Sequence, residues 1–160
     1  MGKIVRDRDE LARIVGQLKA EGKVVVLTNG CFDLVHVGHI RCLRGAKAEG
    51  DVLIVAINDD NYIRKHKRDA GPVNNQDYRM EILSEFTSVD YVTIFGEKTI
   101  DSLLEKLRPD VHAKGTDYTP DNLPERDTVR RIGARIAIVG DPKDHSTADT
   151  LYRIKAIETG

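Results

Sequence analysis

Five short apolar runs, none of them strictly alternating, constrain this chain more than any other feature. They are Val24–Thr28 (VVVLT), Asp51–Ile57 (DVLIVAI), Tyr91–Phe95 (YVTIF), the weaker Val111–Ala113 (VHA), and Arg135–Val139 (RIAIV). A strand with one wet face alternates apolar and polar residues. A continuous β-branched run needs cover on both faces, which is the pattern of a parallel sheet layered between helices. Helical stripes fall between the runs. Leu11, Ile14, Val15 and Leu18 recur at i, i+3, i+4, i+7, as do Ile100, Leu103, Leu104 and Leu107, with Pro109 as a stop. Val37, Ile40, Leu43 and Ala46 form a third stripe, ended by Gly50, and Met80, Leu83 and Phe86 a fourth. Leu151 and Ile154 mark a last helix that Ser146 can cap.

The order α-β-α-β-α-β-α-β-(α)-β-α predicts an α/β fold. The expectation is a Rossmann-like open parallel five-stranded sheet with helices on both faces. With 160 residues, one domain is expected over 1–160: an N-terminal helix in 1–22 and the Rossmann-like core in 23–160. A charged fraction of 32% beside 40% hydrophobic residues excludes a disordered chain. The formal net charge of -1 gives no global drive toward nucleic acid or an anionic membrane. No apolar run approaches the ~20 residues of a membrane span. The N-terminal MGKIVRDRDEL has no signal-peptide core, so a cytoplasmic location is expected. Cys31 and Cys42 form no CxxC pair and read as thiols.

In such a sheet the ligand binds outside the carboxyl ends of the strands. Four polar clusters fall there: Asn29–His39, Asn58-Asp59-Asp60, Lys114-Gly115-Thr116-Asp117 and Asp144–Thr147. Four on one edge point to a single crevice. The densest is TNGCFDLVHVGH, Thr28 to His39, which leads from a strand into a helix whose first N–H groups attract anions. Gly30 and Gly38 permit a tight turn and close approach of a phosphate. His36 and His39, three apart, share a helix face and can donate to phosphoryl oxygens. As metal ligands they number only two, and no third stands nearby. GxxxxGK[ST] and GxGxxG are both absent, so spacing alone supports a phosphate-binding α/β domain.

TNGCFDLVHVGHI resembles the signature of the HxGH nucleotidyltransferase superfamily. The chain further resembles the bacterial D-glycero-β-D-manno-heptose 1-phosphate adenylyltransferases of lipopolysaccharide core assembly. GDVLIVAINDD, Pro72-Val73-Asn74 followed by Arg79-Met80, Ser88–Val92, KGTDY at Lys114–Tyr118 and Ser146-Thr147 carry the likeness, in order, from about Val24 to Ile154. The resemblance implies transfer of AMP from ATP, with Mg2+ carried on its phosphates, to a sugar 1-phosphate. It implies His36, His39, Lys47 and Arg79 as catalytic groups. Nucleotide contacts fall to Asn29, Gly30, Cys31, Phe32, Asp33, Gly38, Lys114, Gly115, Asp117, Ser146 and Thr147, and substrate contacts to Asn58, Asp59 and Asn74. Cys31 and Phe32 would act through backbone amides. No nucleic acid or membrane partner is implied, a homodimer is usual, and a separate sugar kinase would supply the acceptor.

The chain departs from that pattern at Gly71, where the family has arginine, at Ala148, where it has threonine, and at Gly133-Ala134, where it has Gly-Gly. Cytidylyl transfer to glycerol 3-phosphate or another phospho-alcohol stays open, as does a nucleotide-binding module without turnover. A phosphate nucleophile is already anionic near neutrality, so positioning and charge stabilisation suffice and no strong base is needed. The basic segment Arg64–Arg68, with His66, reads as a solvated mobile loop.

Overall fold

The computed structural model describes residues 2–142 and 146–160. Its elements are β1 (Lys3–Ile4), α1 (Arg8–Ala20), β2 (Val25–Gly30), α2 (Val37–Ala48), β3 (Val52–Asn58), α3 (Asp60–His66), α4 (Gln76–Ser84), β4 (Tyr91–Phe95), α5 (Asp101–Leu107), β5 (Val111–Gly115), α6 (Arg126–Arg131), β6 (Arg135–Val139) and α7 (Thr147–Thr159). All five apolar runs are strands. Together with β1 they form one parallel sheet in the order β1-β4-β3-β2-β5-β6.

Two expectations are corrected. The sheet has six strands, because Lys3–Ile4 pairs with Tyr91–Val92 at the edge, ahead of the N-terminal helix. Two residues are too few for any periodicity to reveal. The basic segment read as a loop is helical through His66. Asp59 caps α3 by accepting from Tyr62 N at 2.7 Å, and only Ile63 is buried in it.

Every residue of β3 is buried, as a doubly covered strand requires. On one face Val26, Leu53, Val55, Val111 and Val139 pack with Leu43 and Ala46 of α2 and Met80 and Leu83 of α4. On the other, Val25, Leu27, Ile54 and Ala56 pack with Leu11 and Val15 of α1, Leu103 and Leu104 of α5 and Val129 of α6. These side chains are close to fully buried, each worth about 1.5–3 kcal/mol in removal from water.

The amino edge of the sheet is stitched by aspartates. Asp51 accepts the amide of Val24 at 2.8 Å, Asp90 that of Leu53 at 2.8 Å, and Asp110 that of Val25 at 2.9 Å. The carboxyl edge is open, for a topological reason. From β2 the chain winds outward through β3 and β4 with α2 and α4 on one face. From β5 it winds to β6 with α6 on the other. β2 and β5 are neighbours, so the loops leaving them diverge to opposite faces and a crevice opens between. Among the described residues, no helix is long and apolar enough to cross a membrane.

Candidate active site

A cavity of about 620 Å³ lies over that crevice. From the α2 side it is lined by His36, Gly38, His39 and Cys42, with Ser146 and Thr147 from the start of α7. From the opposite face come Lys98, Thr99, Pro124 and Glu125. Asn29, Gly30, Cys31, Phe32, Asp33, Asn58, Lys114, Gly115 and Asp117 complete the expected set found at the cavity wall. Asp144 and His145, from the fourth polar cluster, lie outside the described residues.

The two histidines build the start of α2 themselves. His36 is the N-cap, and its Nδ1 accepts the amide of Gly38 at 3.1 Å. His39 reaches back, and its Nδ1 accepts the amide of His36 at 3.2 Å. This is a capping box made of imidazoles. Both Nδ1 atoms act as acceptors, so in each neutral ring the proton sits on Nε2. The rings lie 4.0 Å apart, and Phe32 packs 5.2 Å from His39. Phe32 adopts a left-handed φ of 51°, a conformation a bulky residue holds only when its surroundings impose it. Its ring presses on Gly30, where an added Cβ would stand 3.0 Å from Phe32 Cε2. Glycine therefore leaves room for the phenyl ring, which packs tilted at 49° against His39.

Asp33 and Arg79 hold the loop from beneath. The buried Asp33 carboxylate accepts the amides of Val73 at 2.9 Å and Asn74 at 2.8 Å and pairs with Arg68. Asn74 Nδ2 returns a bond to Asp33 O at 2.9 Å. Arg79 is 0% exposed. Its guanidinium donates to Cys31 O at 2.7 Å, Asn58 O at 2.8 Å and Asn74 O at 3.0 Å, and pairs with Asp60 at 2.7 Å. Five donors in a rigid fork suit a residue that ties three chain segments together.

These contacts place several of the expected site residues away from the cavity wall. Arg79, expected to meet the triphosphate, is spent on carbonyls below the cavity and does not line it. Asn74 braces Asp33 and Asp59 caps α3, so neither expected substrate contact is at the wall. Lys47 lies at the amino edge, where its Nζ meets Asp90 at 2.5 Å and Asp51 O at 2.6 Å. It starts about 16 Å down α2 from His36, at 1.5 Å per residue. Gly71, the position of the missing arginine, has φ +81° and carries the Arg64 side chain against it.

Lys114 is the buried cation of the site. Its Nζ donates to Asn29 Oδ1 at 3.3 Å and lies 4.6 Å from the Tyr118 ring centroid. Burial lowers its pKa from the ordinary lysine value, and the nearby negative charge of Glu125 and Asp117 opposes that only in part. Among the described residues, Lys67, Lys98 and Lys114 line the cavity without an ion pair, whereas Asp33, Glu125 and Asp141 pair with Arg68, His112 and Arg41. Asp117 also stands at the wall, so among the described residues five basic side chains, Arg41, Lys67, Arg68, Lys98 and Lys114, face four carboxylates. Sequence reasoning missed Lys98, Tyr62 and Glu125 as wall residues, since nothing in their spacing marks them. Lys67 and Arg68 were visible only as a basic run.

An α/β nucleotide-binding domain is the class that this switch-point crevice and its imidazole-capped helix define. The chain belongs to the cytidylyltransferase-like family, whose model matches residues 27–157. It is 42% identical over 150 residues to the bifunctional protein HldE of Geobacter sulfurreducens, and 40% identical over 147 residues to that of Azotobacter vinelandii. These matches cover 94% and 92% of this chain but 31% of each relative, so the chain spans about a third of their length. Among solved structures, a lipopolysaccharide core biosynthesis protein from Thermoplasma volcanium superposes with a TM-score of 0.65 at 24% identity. That match covers 76% of this chain and 100% of the other. A pantoate-β-alanine ligase from Francisella tularensis, solved with β,γ ATP and β-alanine, gives 0.65 at 18% identity over 92% of this chain and 69% of its own. Both share the fold.

Proposed function

We propose that this domain transfers AMP from ATP to a sugar 1-phosphate, D-glycero-β-D-manno-heptose 1-phosphate by its sequence likeness, and releases pyrophosphate. The observation that carries the reading is the pair of histidines whose Nδ1 atoms hold the helix start, which puts the ring protons on Nε2 beside an anion-binding helix end. The acceptor phosphate attacks the α-phosphorus, and the α–β bridging oxygen departs with pyrophosphate. The histidines donate to oxygens that gain charge in the transition state. The start of α7 at Ser146 and Thr147 receives the outer phosphates. Lys114 supplies a desolvated positive charge, and Mg2+ arrives on the nucleotide. The phosphorylated acceptor implies a sugar kinase acting earlier, and the HldE relatives are bifunctional by name.

The family's description keeps a second reading in view, cytidylyl transfer to glycerol 3-phosphate. A pyrophosphate-release assay crossing ATP and CTP with heptose 1-phosphate, mannose 1-phosphate, glycerol 3-phosphate and phosphoethanolamine separates them. The expected result is preference for ATP with the sugar phosphate. Release only from CTP with glycerol 3-phosphate selects the second reading, and no release from any pair overturns both.

A further inference from the structure

The two faces of the sheet meet solvent differently. Among the described residues, α1, α5 and α6 expose no large hydrophobic side chain. On the other face, α2 exposes Val37 and Ile40, and α4 exposes Tyr78 and Ile82, with Val73 just before it. The two helices are neighbours. α2 packs on β2, β5 and β6, α4 packs on β1 and β4, and both reach β3. Their inner sides, Leu43 and Ala46 of α2 and Met80 and Leu83 of α4, share one core. Their outer sides therefore form one surface, with apolar side chains in water on both helices.

Charge divides that surface. The charged side chains of α2 are Arg41, Arg44 and Lys47, all basic, and the exposed ones of α4 are Asp77, Glu81 and Glu85, all acidic. Arg41, Lys47 and Asp77 pair with Asp141, Asp90 and Arg6. Arg44, Glu81 and Glu85 are exposed, with no ion pair among the described residues. Spacing matches as well. Arg44 stands one turn beyond Ile40, and Glu81 and Glu85 stand about one turn beyond Tyr78 and Ile82. Each helix thus sets a charge beside an apolar side chain at an interval of about 5.4 Å. On α4, Asn74, Tyr78, Ile82 and the two glutamates enclose a hollow of about 350 Å³. The last helix also exposes Tyr152, Ile154 and Ile157, but it mixes Asp149 and Glu158 with Arg153 and Lys155 and so favours no occupant.

We infer that a second copy of this chain docks on the outer surface of α2 and α4, with α2 of each copy lying on α4 of the other about a two-fold axis. The patch holds both halves of its own match, a basic helix beside an acidic one, and a two-fold axis brings unlike halves together twice. Ile40 enters the hollow on α4, and Arg44 meets Glu81 and Glu85. The inference is independent of the proposed transfer reaction.

Sedimentation velocity over a micromolar concentration range reads the oligomeric state, and a melting curve checks that each of these exposed substitutions leaves the fold intact. Wild-type protein is expected as a dimer. Arg44→Glu, and in a separate protein Glu81→Lys with Glu85→Lys, place like charges at both contacts and raise the dimer dissociation constant at least about a hundredfold. Mixed in equal amounts, the two variants meet with unlike charges at both contacts and form a mixed dimer, which a size tag on one of them identifies. A monomeric wild type overturns the inference. So does a dimer that survives both reversals, which assigns the contact to another face such as the last helix. Dissociation without recovery on mixing also overturns it, because the reversals then act without α2 meeting α4.

Discussion

The Nδ1 of His39 accepts the backbone amide of His36 at 3.2 Å, so each histidine of the pair is fixed by main chain before any ligand arrives. One nitrogen of each ring is structural, and the chemistry falls to the other. Substitutions can separate the two.

His36→Ala and His39→Ala are expected to lower kcat by about 10²–10³ each, the usual cost of one preorganised donor to a transition-state oxygen. Asparagine keeps an oxygen where Nδ1 stands but has no donor at the Nε2 position. His36→Asn should therefore retain the melting temperature and still lose turnover. His39→Gln extends an N–H toward the Nε2 position and should recover part of the rate. Melting curves beside saturating kinetics check this, and near-wild-type turnover in His36→Asn removes its Nε2–H from the mechanism.

Replacing Lys114 with methionine should stabilise the unliganded protein by about 1 kcal/mol while weakening ATP binding at least tenfold. Its folded pKa lies below the unfolded value, so the folded state carries the cost of a buried ammonium throughout the pH range below that folded value. As pH rises through the folded value toward the ordinary lysine range, the folded protein releases its proton first and stability climbs. ATP binds the ammonium form, so affinity falls over the same interval. Thermal shifts with and without ATP, taken from neutral to alkaline pH, should show both trends in the wild type. Neither should appear in Lys114→Met, and a wild-type affinity flat across that interval removes Lys114 from the nucleotide site.

Arg79→Met should cost about 3–5 kcal/mol, because it strands Asp60 and the carbonyls of Cys31 and Asn58 in the interior. Arg79→Lys should rescue little, since an ammonium cannot span three segments. Urea unfolding measures the loss. A variant as stable as wild type but inactive would return Arg79 to the catalytic list.

Lys47→Ala should leave kcat and KM within about twofold of wild type and lower stability by about 1 kcal/mol or less, the range for a half-exposed ion pair. A large kcat defect at unchanged melting temperature would contradict its placement at the amino edge.

The parallel sheet was legible because residues such as Leu53, Ile54 and Val55 run consecutively through a strand covered on both sides. β1 was not, since its two residues gain their conformation only from Tyr91 and Val92. α3 presents Arg64, Lys65 and His66 to solvent around one buried Ile63, and its polarity hid its helix. At the site, the motif marked the loop that enters α2 but not where its residues point. Lys47 follows the histidines on α2 but lies three turns away from them, and Arg79, from the separate Pro72–Met80 motif, turns under the loop. Glu125 carries no spacing signal, because its place is fixed by His112 of β5, thirteen positions back.

The stitches from Asp51, Asp90 and Asp110 have a mechanical consequence. They fasten each central strand to its neighbour at the end remote from the cavity, so a ligand that draws the loops together loads a sheet whose register is locked from behind. Deformation during a catalytic cycle is then confined to the last residues of β2 and β5 and the segments after them. Backbone amides should accordingly exchange with solvent on a gradient, slowest at Val25 and Leu53 and fastest toward Gly30 and Gly115, and the gradient should flatten when bound nucleotide protects the cavity end.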